Sequence, residues 1–224
     1  MNAIQPLVQN SDDSGFDETL FSAIADDLYQ QGYSIKPVSL PSSLCIAMSQ
    51  YQLRIDEQRF KAAGIGRGND YLQNEFVRTD EICWITGKSA EEVEWLSWTA
   101  QLQRYLNSRL FLGLFSFESH FAHYAPGMYY KRHYDAFKGE AQRVLSIVTY
   151  LNSGWAIDDG GELVLFTDDN DIEGIKVVPL MGTIVVFLSE DFPHEVLPAQ
   201  RDRYSIAGWY RVNTSVTERV DPPL

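Results

Sequence analysis

Hydrophobic residues recur at helical spacing through the first half of the chain and predict three helices. The first helix is predicted from a stripe of apolar residues, and Gly32 is its predicted end. A second helix is predicted from Ser42 to the late fifties, and a third after a capping box formed by Ser89 and Glu92. The residues that define the apolar faces are Leu20, Phe21, Ile24, Ala25 and Leu28 in the first helix, and Trp95, Trp98, Thr99, Leu102 and Leu106 in the third.

After residue 110 the spacing changes to that of short strands. Runs such as "RVLSIVTYL", "GTIVVFL" and "RYSIAGWYRV" are rich in β-branched and aromatic residues, and turn material such as "DDGG" and "DDND" separates them. The run "GTIVVFL" does not alternate, so we expect it to be buried on both faces. Helices followed by strands predict a mainly β fold, in which a sandwich or barrel is buttressed on one side by about three helices.

The chain has 224 residues and no internal repeat, and we expect most of it to fold as a single domain. The stretch 62–87 is rich in glycine and polar residues and separates two helices, which is typical of a lid or binding loop. The predicted parts are a loose N-terminal segment at 1–16, a single domain at 17–224, within it a helical buttress at 17–110 and a β core at 111–213, and a C-terminal tail at 214–224.

Composition and charge narrow the classes of function. Hydrophobic residues make up 45% of the chain, enough for a sizeable core, and the formal net charge is -13. Binding to a polyanion such as nucleic acid normally requires a basic surface, so we expect no nucleic-acid partner. Cys45 and Cys83 predict two reduced core thiols. The sequence shows neither a secretory signal nor an apolar run of about 18 residues, so we expect a soluble cytoplasmic protein without a membrane partner.

The stretch "YKRHYDAF" places His133 and Asp135 two positions apart. In a strand such side chains point to the same face, so both can enter one interior. His194, in "DFPHEVLPA", follows another strong strand and is the candidate third ligand. Two histidines and one carboxylate form the facial triad of non-haem Fe(II) oxygenases, although the pair alone is also typical of a polar turn. His120 and His123 lie among apolar neighbours, and we assign them no role.

Arg203 is the feature that favours the metal interpretation. It opens the strand "RYSIAGWYR", where alternation places it on one face with Ser205, Ala207 and Trp209. A buried arginine is costly unless an anion meets it, and a guanidinium can hold a carboxylate through two hydrogen bonds. The alternative is a salt bridge to one of the 31 acidic residues of the chain.

Taken together, an H-x-D pair, a distal histidine and a following arginine on β runs resemble the 2-oxoglutarate- and Fe(II)-dependent dioxygenases. The closer likeness is to prolyl hydroxylases, in particular the oxygen-sensing prolyl hydroxylase domain group and its bacterial relatives. The resemblance implies a double-stranded β-helix, or jelly-roll, core. The stretches that carry it, within residues 60 to 213, are "FVRTDEICWITG", "HYAPGMYYKRHYD", "SIVTYLNSGW", "DDGGELVLF", "FPHEVLPA" and "RDRYSIAGWY".

The resemblance also implies roles for individual residues, taken position by position. One departure is Ala207, where the oxygen-sensing enzymes carry a threonine, so a polar contact near 2-oxoglutarate is missing. The implied residues are His133, Asp135 and His194 as iron ligands, Arg203, Tyr150, Tyr124 and Trp209 around 2-oxoglutarate, with Arg203 and Tyr150 on its far carboxylate, and Arg78 and Asp80 for ordering the substrate-binding loop.

Several of these side chains are also compatible with a purely structural role. The aromatic residues Tyr124, Tyr150 and Trp209 are typical of a plain core. Arg78 and Asp80 are also compatible with an exposed ion pair of little energetic value.

By resemblance, the chain is expected to be an oxygenase that uses Fe(II), 2-oxoglutarate and O2, with ascorbate as an auxiliary reductant, and releases succinate and CO2. The implied partner is a protein substrate with a prolyl residue in a loop, for which a translation factor is the candidate. One alternative is a nucleic-acid oxidative demethylase of the same superfamily, since Arg203, Ser205 and Arg211 fit its last strand. The other is a non-catalytic jelly-roll binding module that keeps a metal only as a structural staple.

Overall fold

The computed structural model confirms a mainly β protein with three helices. The predicted segments 1–16 and 214–224, and positions 64–76 within the predicted loop, lie outside the described residues. The division of the chain into a buttress, a core and two terminal segments therefore stays a prediction. The described residues are 18–63, 77–136 and 142–213.

The elements follow the predicted order, with helices concentrated before residue 111 and strands after it. The helices are α1 (Glu18–Gln31), α2 (Ser42–Gln52) and α3 (Ala90–Leu110). The strands are β1 (Tyr33–Lys36), β2 (Lys61–Ala62), β3 (Glu81–Trp84), β4 (Leu114–Tyr124), β5 (Tyr130–His133), β6 (Arg143–Tyr150), β7 (Leu163–Leu165), β8 (Ile175–Val177), β9 (Ile184–Leu188), β10 (His194–Val196) and β11 (Arg203–Val212).

The start of α3 agrees with the prediction in part, and the end of α2 differs from it. Ser89 caps α3 by accepting the backbone N–H of Glu92, as predicted. The carboxylate of Glu92 turns instead to the backbone N–H groups of Thr86 and Lys88, so the reciprocal half of the capping box is absent. The second helix ends at Gln52, earlier than predicted, and a separate 3-10 turn follows at Glu57–Arg59.

Two antiparallel sheets carry the fold. The larger sheet has the strand order β1-β9-β6-β11-β4-β3-β2, and the smaller has the order β5-β10-β7-β8. Strands from the helical half of the chain, β1 to β3, thus form the edges of the larger sheet. Among the described helices, none combines the length and the apolar character that crossing a membrane would require.

The central strands of the larger sheet are buried on both faces, because the helices pack on one side and the smaller sheet on the other. The β9 strand shows this directly: Ile184 and Val186 face the helix-side core, whereas Val185 and Phe187 face the core between the sheets. This confirms the expectation drawn from its uninterrupted apolar run. The second face leaves room for an interior between two sheets, and the polar residues of the chain's predicted site lie there.

Candidate active site and metal centre

A cavity of about 690 Å³ lies between the two sheets and holds most of the predicted site residues. One wall is the inner face of the larger sheet, where β4, β11 and β6 run side by side. The opposite wall belongs to the smaller sheet, through β5 and β10. Asp80 and Tyr150 are not in the lining itself, and each lies directly behind a lining arginine.

His133, Asp135 and His194 converge on the lining of this cavity. His133 at the end of β5 and His194 at the start of β10 are paired directly across the two strands. Asp135 lies in the bend after β5, so the expectation that one strand presents both members of the pair is wrong. The bend nevertheless brings the carboxylate to the imidazoles, and one ligand atom from each residue lies within 4.8 Å of the others.

Backbone hydrogen bonds fix which ring nitrogen of each histidine is available. Nδ1 of His133 lies 2.8 Å from the carbonyl oxygen of Lys131, and Nδ1 of His194 lies 3.3 Å from that of Phe192. Because a carbonyl oxygen only accepts, each Nδ1 carries a hydrogen, and in the neutral ring the lone pair is then on Nε2. Those Nε2 atoms lie 3.7 Å and 3.6 Å from the two oxygens of Asp135. Two imidazole nitrogens and a carboxylate oxygen suit a divalent first-row metal with open positions.

The protonation states of the cluster also suit a metal. Burial lowers the pKa of His194 to about 4, with a further contribution from His133, so His194 is neutral near pH 7. Burial alone would raise the pKa of Asp135, but the neighbouring imidazoles of His194 and His133 hold it well below its usual value. A neutral imidazole and an ionised carboxylate are the forms that bind metal ions.

Arg203 lines the same cavity and is 1% exposed. Its Nε donates to the carbonyl of Gly161 at 2.8 Å, and its Nη1 donates to the hydroxyl of Ser205 at 3.3 Å. The rings of Tyr124 and Tyr150 flank the guanidinium at 4.9 Å and 5.1 Å. Its hydrogen bonds within the described residues thus go to neutral oxygens, which argues against the salt-bridge alternative and leaves a buried positive charge to be met by an anion.

Tyr150 adds a second polar group beside the guanidinium. Its hydroxyl is buried beside Arg203, and within the described part of the chain it makes no hydrogen bond of normal geometry. Burial raises the pKa of Tyr150 to about 12, against the opposing charge of Arg203, so the phenol keeps its proton. A buried polar atom of this kind needs a partner, and a bound carboxylate beside Arg203 would supply one. The residues therefore fit a dicarboxylate such as 2-oxoglutarate with its far end at Arg203.

Arg78 and Asp80 form a buried bidentate ion pair. The alternative interpretation from the sequence, a weak and exposed ion pair, is therefore wrong. Nε and Nη2 of Arg78 lie 2.8 Å and 2.6 Å from the two carboxylate oxygens of Asp80. The Arg78 guanidinium stands 4.3 Å from the ring centroid of Tyr130, and that ring stacks on His133 at 3.5 Å. This pair, in the later part of the predicted 62–87 loop, is thus in contact with Tyr130, which stacks on a candidate metal ligand.

Trp209 lines the cavity between two residues that had no predicted role. The Arg143 guanidinium lies 3.6 Å from its ring centroid, and the His120 ring lies 5.4 Å away. The Nε1 atom of Trp209 is buried and has no hydrogen-bond partner among the described residues. His120 is 3% exposed, and burial lowers its pKa to about 4, so the wall beside Trp209 presents a neutral imidazole.

The two missed residues differ in how far the sequence could have revealed them. His120 lies four positions before Tyr124 on β4, so simple alternation places both on the cavity face. Arg143 enters the cavity because a bulge shifts the register of β6 against β11 after Tyr210. The same shift turns Val144 to the helix-side core, whereas strict alternation from Tyr150 would place it on the cavity face. His123 lies outside the cavity, hydrogen-bonded to Asp202.

Comparison with known proteins agrees with this geometry. The family model described as the 2OG-Fe(II) oxygenase superfamily matches residues 119–211. The chain is similar to a prolyl-4-hydroxylase of Pseudomonas putida, with 40% identity and a TM-score of 0.76 over 86% of this chain and 99% of that one. It is also similar to a prolyl hydroxylase from Trichoplax adhaerens, solved with a hypoxia inducible factor oxygen degradation domain peptide fragment, with 28% identity and a TM-score of 0.76 over 87% of this chain and 90% of that one.

Curated relatives match a shorter region. Prolyl hydroxylase EGLN3 of Mus musculus is 31% identical over 142 residues, which cover 60% of this chain and 59% of that protein. The first curated relatives are matched over 33% to 59% of their own length, so the chain corresponds to a part of each. The bacterial structure, by contrast, is covered almost completely.

The region matched by the family model contains the His-Asp-His cluster and the buried Arg203. The likeness to the Pseudomonas putida enzyme covers 86% of this chain and so extends well beyond that region. The chain therefore belongs to the 2OG-Fe(II) oxygenase superfamily and, within it, to the prolyl hydroxylase-like enzymes, whose metal is Fe(II) and whose cosubstrates are 2-oxoglutarate and O2.

Proposed function

We propose that the protein hydroxylates a prolyl residue of a protein substrate, consuming 2-oxoglutarate and O2 and releasing succinate and CO2. The observation that carries the proposal is the pairing, in one cavity, of a His-Asp-His cluster with a buried arginine that lacks a carboxylate partner among its hydrogen bonds. A metal-binding module would need the first feature alone. An enzyme that binds metal and dicarboxylate side by side needs both.

In this proposal His133, Asp135 and His194 hold the metal through Nε2, a carboxylate oxygen and Nε2. Arg203 and the Tyr150 hydroxyl hold the far carboxylate of 2-oxoglutarate, and Tyr124 packs beside it. When bound, Fe(II) and 2-oxoglutarate supply the oxidising chemistry, with ascorbate as the auxiliary reductant that keeps the metal in its ferrous state. The protein's own part is to orient the two and to keep water from the site.

The wall opposite the metal ligands is proposed to receive the substrate. Trp209, His120 and Arg143 form one continuous surface there, with a neutral imidazole and an arginine that is paired with Glu118. The Arg78 and Asp80 pair fixes the later part of the predicted 62–87 loop against β5, because residue 78 also bridges to Tyr130 in the backbone. The Tyr130 ring in turn stacks on His133, so the pair is connected by direct contacts to a metal ligand.

A protein substrate is favoured by the solved relatives. One is a prolyl-4-hydroxylase, and another was solved with a peptide fragment bound. A cavity of about 690 Å³ also leaves space beyond a five-carbon diacid for a side chain to enter. A translation factor remains the candidate protein, on the strength of the sequence resemblance to bacterial relatives.

Mass spectrometry tests the proposal most directly. The protein is incubated with Fe(II), 2-oxoglutarate, ascorbate and a translation elongation factor, or a library of proline-containing peptides. We expect a gain of one oxygen atom that fragmentation places on proline, with succinate formed alongside. The His133→Ala variant should form neither product. Turnover retained in that variant, or oxygen placed on another residue type, would contradict the assignment.

A further inference from the structure

Two buried serine hydroxyls form a hydrogen-bonded chain behind Asp135. Ser146 on β6 is 2% exposed, and Ser189, just after β9, is 0% exposed. The Oγ of Ser146 lies 2.6 Å from Oδ2 of Asp135, and the two serine Oγ atoms lie 2.9 Å apart. Neither serine belongs to the proposed set of metal ligands, so this pair of hydrogen bonds needs an explanation of its own.

The chemistry of the three groups determines which atom donates in each of the two hydrogen bonds. An ionised carboxylate can only accept, so the single hydroxyl hydrogen of Ser146 is directed to Asp135. Ser189 must then donate to Ser146. A short O–H···O⁻ bond is among the stronger hydrogen bonds in proteins, and a donor behind it polarises it further.

The serines stand on rigid parts of the fold, whereas Asp135 does not. Ser146 is the central member of a cross-strand row, paired with Trp209 on β11 and with Phe187 on β9. Ser189 is held by its backbone N–H, which donates to the carbonyl of Val144 at 3.0 Å. Asp135 lies in a bend beyond the end of β5. The larger sheet therefore orients the carboxylate of Asp135, although the backbone of Asp135 lies outside both sheets.

We propose that Ser146 and Ser189 are positioning residues for the metal centre. By occupying Oδ2 of Asp135 they leave Oδ1 as the oxygen that binds the metal, and they hold the carboxylate to one-oxygen binding. A carboxylate that takes one position keeps three positions free beside the triad, whereas two-oxygen binding would take one of them. The inference rests on the proposed iron site and adds to it the reason why Asp135 binds through one oxygen.

The test measures Mn(II) affinity of the full chain by titration calorimetry, which needs no turnover. Removing partners that orient a metal ligand commonly weakens metal binding about 10- to 100-fold, and we expect a loss in that range for Ser146→Ala. Ser189→Ala should weaken binding in the same direction by less. Ser146→Thr keeps the hydroxyl and should bind Mn(II) nearly as the unchanged protein does.

The matched control is Thr149→Val, which removes a buried hydroxyl of the same strand that donates away from the site, to the carbonyl of Thr183. It should lower thermal stability without changing the Kd for Mn(II). Equal affinity in Ser146→Ala and the unchanged protein, with binding lost in Asp135→Ala, would overturn the serine proposal and leave the metal site standing. A loss in Thr149→Val as large as that in Ser146→Ala would also overturn it. Failure of the unchanged protein to bind Mn(II) would overturn both.

Discussion

Arg203 places a positive charge where almost no solvent reaches it, since the residue is 1% exposed. Desolvating a charge costs several kcal/mol unless a counter-charge compensates for it. The described neighbours of the guanidinium are a carbonyl, a hydroxyl and two aromatic rings, which offset only part of that cost. The site is therefore most stable with an anion bound, and the residue that destabilises the empty protein is the one that would give the ligand its affinity.

Replacement of Arg203 by lysine should weaken 2-oxoglutarate binding while keeping the charge. An ammonium group is a point charge and cannot form the two parallel hydrogen bonds of a guanidinium. Loss of one charged hydrogen bond, about 1.5 to 3 kcal/mol, corresponds to roughly a 10- to 100-fold rise in Kd. Calorimetry with the Mn(II)-loaded protein measures it. The control is Arg201→Lys, because Arg201 is half exposed and pairs with Asp159. An unchanged Kd in Arg203→Lys would contradict the placement of the carboxylate.

The burial of His120 leads to a prediction about how the free energy of unfolding depends on pH, and this prediction does not involve the metal. Its pKa is about 4 in the folded chain, lowered first by burial, against about 6.5 in an unfolded one. Between these values the unfolded state binds more protons, so this residue makes stability fall as pH drops from about 6.5 towards 4. By pH 4.5 the loss is about 2 to 3 kcal/mol. Urea unfolding of the unchanged protein and His120→Gln should diverge over that window and run parallel above pH 7.

The variant His123→Gln is the control for this comparison, because its side chain is partly exposed and hydrogen-bonded to Asp202 at the surface. It should not remove the acid-dependent loss. If His120→Gln and the unchanged protein lose stability equally between pH 6.5 and 4.5, the imidazole of His120 is not held neutral by burial.

At the scale of elements, the turn before β7 connects backbone conformation to ligand binding. Gly161 has a φ of +71°, and its carbonyl accepts the hydrogen bond from Nε of Arg203. A Cβ at this position would lie 2.9 Å from the Cβ of Ala199 and 3.2 Å from Cδ of Arg203. Gly161→Ala would therefore strain the turn and also displace the arginine, because both neighbours are packed against it.

A second glycine separates those two effects. Gly154 has a φ of +58° but would meet nothing within 4 Å of an added Cβ. Alanine at either position should cost about 1 to 2 kcal/mol from the left-handed backbone. Only Gly161→Ala should also raise the Kd for 2-oxoglutarate. Equal affinity in the two variants, measured by calorimetry, would show that the position of Arg203 does not depend on the turn.

The elements also show how far the sequence could be interpreted. The faces of β11 followed from alternation alone, since Arg203 and Trp209 line the cavity while Tyr210 enters the helix-side core. Alternation failed where the backbone leaves ideal strand geometry. The bulge in β6 puts Arg143 into the cavity, and a bend rather than a strand positions Asp135. Such irregularities depend on contacts with other strands, which a local pattern does not contain.

Contacts between segments that are distant in the sequence could not be predicted for the same reason. The serine pair behind Asp135 joins residues from β6 and the end of β9, which only the sheet order brings together. The stack of Arg78 on Tyr130 and of Tyr130 on His133 likewise depends on the bridge between residue 78 and β5. The metal ligands could be named because their types and order are distinctive, whereas their supporting residues are common types.

For the whole molecule, the net charge of -13 separates the two enzyme alternatives. A nucleic-acid demethylase must attract a polyanion, and its affinity would fall steeply as salt releases bound counterions. The arginine pattern that suggested this alternative is not available for such contacts, because Arg211 is 4% exposed and donates to the side chain of Gln142. The net charge and the burial of Arg211 therefore both weigh against a polyanionic substrate.

Succinate release with two substrates tests this conclusion. With Fe(II), 2-oxoglutarate and ascorbate, proline-containing peptides should raise the rate above the substrate-free background, whereas methylated single-stranded DNA should not. Among active peptides, basic flanking residues should lower KM at low salt, and added salt should reduce that advantage, because screening weakens attraction to an acidic protein. A DNA-stimulated rate that declines steeply with salt would favour the demethylase. Binding of 2-oxoglutarate without succinate formation on any substrate would favour the binding module.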